Sequence, residues 1–157
     1  MNHAHTALDA FDLKLLDLVQ HNNQTPLREL AEQVSLSLPA VAKRLQRLRK
    51  GGVIAADISV LSPELTGVST TIIVNVSVEN EAVEQLDEIR ERFLRCPQIQ
   101  QCYYVTGDID FILIIAVRDM KEYEKLTREL FFEGGNVRRF RTFVTMDRVK
   151  VSLGLAL

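Results

Sequence analysis

Five cations, Lys43, Arg44, Arg47, Arg49 and Lys50, fall within eight consecutive residues, and no acid occurs from Gln33 to Ala56. Clustered Lys and Arg without counter-charges make a surface for polyanions, and the DNA backbone is the obvious one. A second candidate is Gly107-Asp108-Ile109-Asp110. Glycine admits a ligand close to the backbone, neighbouring N–H groups can hold a carboxylate, and aspartate can accept from an ammonium. The same residues also suit a plain hairpin turn. Catalytic groups are scarce. His3, His5 and His21 lie at the start and no histidine follows them. His3-x-His5 could hold a metal adventitiously, but it reads better as part of a loose tail. Cys96 and Cys102 make neither a CxxC pair nor a disulfide framework and read as buried structural thiols. No Ser–His or Cys–His arrangement and no glycine-rich phosphate loop is visible. No metal and no cofactor is expected.

The cations need an element that presents them together. Leu8, Phe11, Leu15, Leu18 and Val19 recur at helical spacing, with Asp9 and Asp12 where a helix dipole favours acids. Residues 21–26, HNNQTP, form a turn. A second short helix buries Leu30, Ala31 and Val34. Ser37 is placed to cap a third, Pro39 fits its first turn, and Gly51-Gly52 stop it after Lys50. At about 100° per residue, Val41, Leu45 and Leu48 share a narrow arc. Lys43, Arg47 and Lys50 fall opposite it, with Arg44 on the flank. Three short helices with a basic third predict a helix-turn-helix. Ser37, Leu38, Pro39, Ala40 and Lys43 would meet base edges, and Arg44, Arg47 and Arg49 would hold phosphates. Val53-Ile54 and Ile58-Val60-Leu61 read as short strands after this head, completing a winged helix-turn-helix with a linker strand over residues 1–62.

From Thr70 the period changes. Thr70–Val78 reads TTIIVNVSV, a strand. A helix over 81–95, capped by Asn80, follows. Strands at 99–106 and 111–117 flank the Gly-Asp-Ile-Asp turn. Asp119 and Glu122 form a capping box for a second helix, which Gly134-Gly135 close. A fourth strand covers 137–145. The order βαββαβ is the ferredoxin-like arrangement, placed at residues 63–157. The fold class is therefore α+β. Pro63 and Gly67 mark the junction.

The whole chain is 157 residues with a net charge of −2, which taken alone speaks against nucleic acid. The charge is uneven. Residues 1–62 hold seven Lys/Arg against six Asp/Glu, and residues 63–157 hold twelve against fifteen. No apolar run reaches the length of a membrane span, and the start lacks the pattern of a secretory signal, so a cytoplasmic protein is expected.

These residues resemble the Lrp/AsnC, or feast/famine, transcriptional regulators. The head matches in L8-D9-x-x-D12, E29-L30-A31, L36-S37, V41-x-x-R44-L45-x-x-L48 and G52-V53-I54, and P63-x-x-x-G67 matches the linker. The second half matches in Tyr103 to Phe111 and in Asp119-Met120 with Tyr123, the RAM/ACT-like domain of that family. The resemblance implies a regulator that binds double-stranded DNA and is not an enzyme. It implies a homodimer that pairs C-terminal sheets and assembles to tetramers or octamers. It also implies a small-molecule effector, an amino acid, at Tyr104, Val105, Thr106, Gly107, Asp108 and Asp110. Three positions depart from the pattern: Gln24 where the family often has Arg, Arg49 where it often has an acid, and Asp57 where it usually has Tyr. Two other readings compete. One is a sirohaem-decarboxylase-like enzyme of the same architecture, which lacks support because no histidine stands in the second half. The other is a sensing or assembly module without DNA binding, which the intact basic face opposes.

Overall fold

The computed structural model describes residues 7–133 and 135–157. His3 and His5, read as a tail, lie outside the described residues, as does Gly134. The chain divides into two compact units. One runs to Val60 and takes in Lys150–Leu157; the other is Leu61–Val149.

The first unit holds α1 (Ala10–His21), α2 (Leu27–Val34) and α3 (Leu38–Lys50). Asp9 and Asp12 close a reciprocal capping box at the start of α1, which satisfies two N–H groups that no helix turn could reach. Ser35 takes a left-handed conformation to end α2. Ser37 stands at the N-cap of α3, but its hydroxyl makes no cap bond, contrary to the sequence expectation. Leu15, Val19, Leu30, Ala31, Val34, Val41 and Leu45 pack into one core, the stripes predicted from helical spacing.

The two short strands expected after α3 are absent. Residues 53–62 carry no strand, and Ile58, Val60 and Leu61 are exposed. A strand needs a neighbour to complete its backbone bonds, and the chain offers these residues none.

The second unit opens on a single-turn helix, α4 (Pro63–Thr66), capped by the Ser62 hydroxyl. Four strands follow: β1 (Thr70–Val78), β2 (Ile99–Tyr104), β3 (Phe111–Val117) and β4 (Val137–Val144). They form one antiparallel sheet in the order β2-β3-β1-β4. Two helices, α5 (Val83–Arg95) and α6 (Met120–Thr127), the latter running on into a π-helical turn over Arg128–Phe132, cover one face. Ile72, Val74, Val76 and Val78 of β1 and Phe111, Leu113, Ile115 and Val117 of β3 supply the sheet side of this core, while Leu86, Ile89, Phe93, Tyr123 and Leu126 come from the helices. The alternate residues Ile73, Ile112 and Ile114 point to the other face and stay only half-buried.

Two caps differ from expectation. Asn80 does not cap α5, which starts later at Val83; its side chain instead accepts from the Ala82 N–H. Asp119 does accept from the Glu122 N–H, but the Glu122 carboxylate reaches back to the Arg118 N–H and not to Asp119. Cys96 is half-buried, and Cys102 is exposed because β2 is an edge strand.

Candidate nucleic-acid interface and effector turn

In the head, α3 buries Val41, Leu45 and Leu48 and turns its other side to solvent. Ser37, Leu38, Pro39, Lys43, Gln46, Arg47, Arg49 and Lys50 are exposed, and Ala40 and Arg44 are half-buried. The groups assigned to base edges thus sit together at the open N-terminal end of the helix. Among the described residues, Lys43 and Lys50 have no ion-pair partner.

The arginines are different. The Asp12 side chain is fully buried and accepts three hydrogen bonds, from the Asp9 N–H, from Arg44 Nη1 at 2.8 Å and from Arg47 Nη2. Arg44 Nη1 also donates to Asp9 at 2.6 Å. The Asp12 backbone N–H, then the Arg44 guanidinium, hold the Asp9 carboxyl below its ordinary value. The Asp9 and Asp12 side chains raise Arg44 above its own. Arg44 also lies over the Phe11 ring. Arg49 is bonded to Asp57 at 2.8 Å. So the cations of α3 form two sets. Arg44 and Arg47 tie α3 to the start of α1 while staying partly exposed, and Lys43 and Lys50 carry no such tie among the described residues. The sequence alone presents Asp12 only as a helix-dipole acid. The signal it lacks is three-dimensional, because Asp12 and Arg47 are 35 residues apart.

In the second unit, Tyr104 ends β2, and Val105, Thr106, Gly107 and Asp108 carry the chain to β3. Gly107 has φ +122°, a conformation that disfavours a side chain, although no atom would clash with an added Cβ. Gly107→Ala should therefore lower stability by about 1–3 kcal/mol through strain alone. A urea titration measures this, and a loss below about 0.5 kcal/mol would mean that the turn relaxes.

Asp110 is a clasp. Its carboxylate accepts from the Val78 N–H at 2.8 Å, its N–H donates to the Val76 carbonyl, and its carbonyl accepts from the Val105 N–H. These bonds tie the turn to the end of β1. Asp108 and Thr106 are exposed, and Val105 is half-buried. Tyr104 packs on Phe111 and under the Arg90 guanidinium, 4.8 Å from its ring centroid. Arg90 reaches this end of the sheet from α5, which the spacing in the sequence did not indicate. Among the described residues, no group of His, Cys, Asp or Glu is placed to hold a metal, and no helix is long and apolar enough to cross a membrane.

Residues 8–49 match the model of the AsnC-type helix-turn-helix domain, and residues 71–155 that of the Lrp/AsnC ligand binding domain. The chain belongs to the Lrp/AsnC family. It is 45% identical over 148 residues to an HTH-type transcriptional regulator of Sinorhizobium fredii, covering 94% of this chain and 88% of that one. It is 34% identical over 144 residues to the leucine-responsive regulatory protein of Haemophilus influenzae, covering 92% and 87%. Solved structures share the fold. One is an AsnC family regulator from Agrobacterium tumefaciens, with TM-score 0.89, 23% identity and coverage of 95% and 97%. Another is a Neisseria meningitidis transcriptional regulator in complex with L-Met, with TM-score 0.89, 23% identity and coverage of 96% and 97%. As an Lrp/AsnC protein the chain is a helix-turn-helix transcriptional regulator.

Proposed function

We propose that this Lrp/AsnC regulator reads double-stranded DNA with α3 and changes its DNA binding or assembly when an amino acid occupies the turn of its ligand-binding domain. One observation carries the DNA half: α3 buries an apolar stripe and leaves an acid-free, cationic side open to solvent. Ser37, Leu38, Pro39, Ala40 and Lys43 lie where a recognition helix meets base edges. Arg44 and Arg47 hold phosphates with the guanidinium N–H groups that Asp12 does not use. No reaction is assigned: the relatives are named as regulators, and the protein acts on DNA in the cytoplasm.

The effector reading rests on chemistry and on the relatives. A structural relative was crystallised with L-methionine. Among the described residues, the Gly107 and Asp108 N–H groups donate to no partner, which leaves them for a carboxylate. The Asp110 carboxylate already ties the turn to the Val78 N–H, whereas the exposed Asp108 carboxylate has no such bond among the described residues, so Asp108 is the acceptor assigned to the ammonium. Tyr104, Val105 and Thr106 form the rest of the turn. A homodimer built on the half-covered sheet face of Ile73, Ile112 and Ile114, assembling to tetramers or octamers, fits the apolar character of that face.

DNA binding is tested by gel shift on the protein's own upstream region at rising salt. Phosphate contacts make affinity fall steeply, and a salt-independent or absent shift counts against the reading. The effector is tested by melting the protein with each of the twenty amino acids. A ligand at about 100 times its Kd raises stability by about 2.7 kcal/mol. Asp108→Asn should abolish that shift, whereas Asp110→Asn should keep it, because an amide oxygen still accepts from Val78. The reverse pattern would move the ammonium to Asp110.

A further inference from the structure

The exposed side of α3 carries a group that the contacts proposed so far leave unused. Gln46 stands past the middle of the helix and is exposed. Its carboxamide makes no hydrogen bond with another described residue. At about 100° per residue, Pro39, Lys43, Gln46 and Lys50 share an arc of about 60°. That arc lies on the side away from Val41, Leu45 and Leu48, which are 0%, 3% and 1% exposed. Gln46 therefore sits about one turn beyond Lys43, on the line that runs from the base-side end of the helix to Lys50.

Its chemistry differs from that of its neighbours. From Ser37 to Lys50 there is no other carboxamide and no acid. Lysine and arginine only donate, so they take phosphate oxygens or the two acceptors of a guanine. A carboxamide holds an acceptor oxygen and a donor NH2 in one plane. In the major groove adenine presents the complementary pair, since its N7 accepts and its N6 amino group donates. Guanine has O6 in place of that amino group, and the Gln46 carbonyl would then face another oxygen.

The backbone that carries Gln46 is held on both sides. Leu45 and Leu48 are buried, and Arg44 and Arg47 are bonded to the fully buried Asp12. Only the side chain has to be ordered when it meets a base, which keeps the entropic cost of a paired contact small. Three residues of helix rise about 4.5 Å. That is close to the step of about 3.4 Å between base pairs. With α3 lying along the groove, Gln46 meets the pair next to the one met by Lys43.

We infer that Gln46 is a specificity-determining residue, which hydrogen-bonds an adenine in the major groove one base-pair step from the pair that Lys43 meets. The inference rests on the proposed reading of DNA by α3 and adds the base that this part of the helix selects. In a two-fold homodimer the same adenine occurs once in each half-site.

The test uses full-length wild type, Gln46→Ala and Gln46→Arg, each selecting duplexes from a randomised library. Wild type should enrich A·T at one position of each half-site. Gln46→Ala should lose the preference at that position alone and bind the wild-type site about tenfold more weakly, with an unchanged salt slope. Gln46→Arg should move the preference there to G·C, because a guanidinium pairs with N7 and O6 of guanine. Alanine and arginine are both strong helix formers, so the melting points should stay at that of wild type. An identical preference at every position in wild type and Gln46→Ala overturns the inference. So does an affinity loss equal for all sequences with a reduced salt slope, which marks a phosphate contact. Lys50→Ala separates this failure from failure of the reading beneath it. If its salt slope falls by about 1 while Gln46→Ala selects as wild type does, the adenine contact alone is overturned. If its slope is unchanged, DNA does not lie on α3 and both are overturned.

Discussion

Asp12→Ala is expected to destabilise the head by about 3 kcal/mol, on the order of 12 °C or more in Tm for a domain of this size. The buried carboxylate is the acceptor for three donors: the Asp9 N–H that closes the capping box, Arg44 and Arg47. Its removal costs the cap, leaves a small void and strips two guanidinium groups of their shared anion. Both arginines are partly exposed and can turn to water, so the loss stays at the low end for breaking a buried pair. Asp12→Asn keeps the shape and one acceptor oxygen and should recover a large part of the loss. Thermal melts followed by circular dichroism measure both variants. A melting point within about 2 °C of wild type for Asp12→Ala would show that α1 and α3 are held by their apolar stripe alone.

The second large effect concerns DNA. Replacing Lys43 and Lys50 together by alanine should weaken DNA binding and reduce the slope of log affinity against log salt by about 1, for the phosphate that Lys50 no longer neutralises, while the loss of Lys43 relaxes sequence discrimination at the base edge it meets. Neither lysine has an ion-pair partner among the described residues, so folding should be untouched. Arg47→Ala behaves differently. The sequence alone presents Arg47 as a solvent-facing phosphate contact that can be deleted without harm to folding. Its bond to the buried Asp12 means that DNA affinity and stability fall together. Gel shifts at several salt concentrations, paired with melts, separate the two classes. An unchanged slope in the double lysine variant would place the DNA contact on another face.

The sequence alone was sufficient for the three helices of the head, the four strands of the sheet and the family. Helical spacing identified Val41, Leu45 and Leu48 as buried, and a change to period two identified β1 and β3 with the boundaries the structure gives. These features depend on neighbours along the chain, where side-chain direction follows from backbone geometry. The basic face of α3 was legible for the same reason. Residues 53–62 misled the same kind of reading. Their strand-like composition was real, yet a strand forms only when a second segment supplies its hydrogen bonds. Asn80 failed as a cap because its carboxamide bonds to the Ala82 N–H, ahead of the helix start.

What each charged side chain does was settled only by packing. Composition gave Arg44, Arg47, Lys43 and Lys50 one sign and one helix. Burial of Asp12 against α3 then divided them into two anchored arginines and two lysines without an ion pair among the described residues. Likewise Asp108 and Asp110 look equivalent two residues apart in a turn, but only Asp110 meets the end of β1. Local periodicity orders the side chains of one element. Which carboxylate finds a buried partner depends on elements far apart in the sequence coming together, and that is decided when the chain packs.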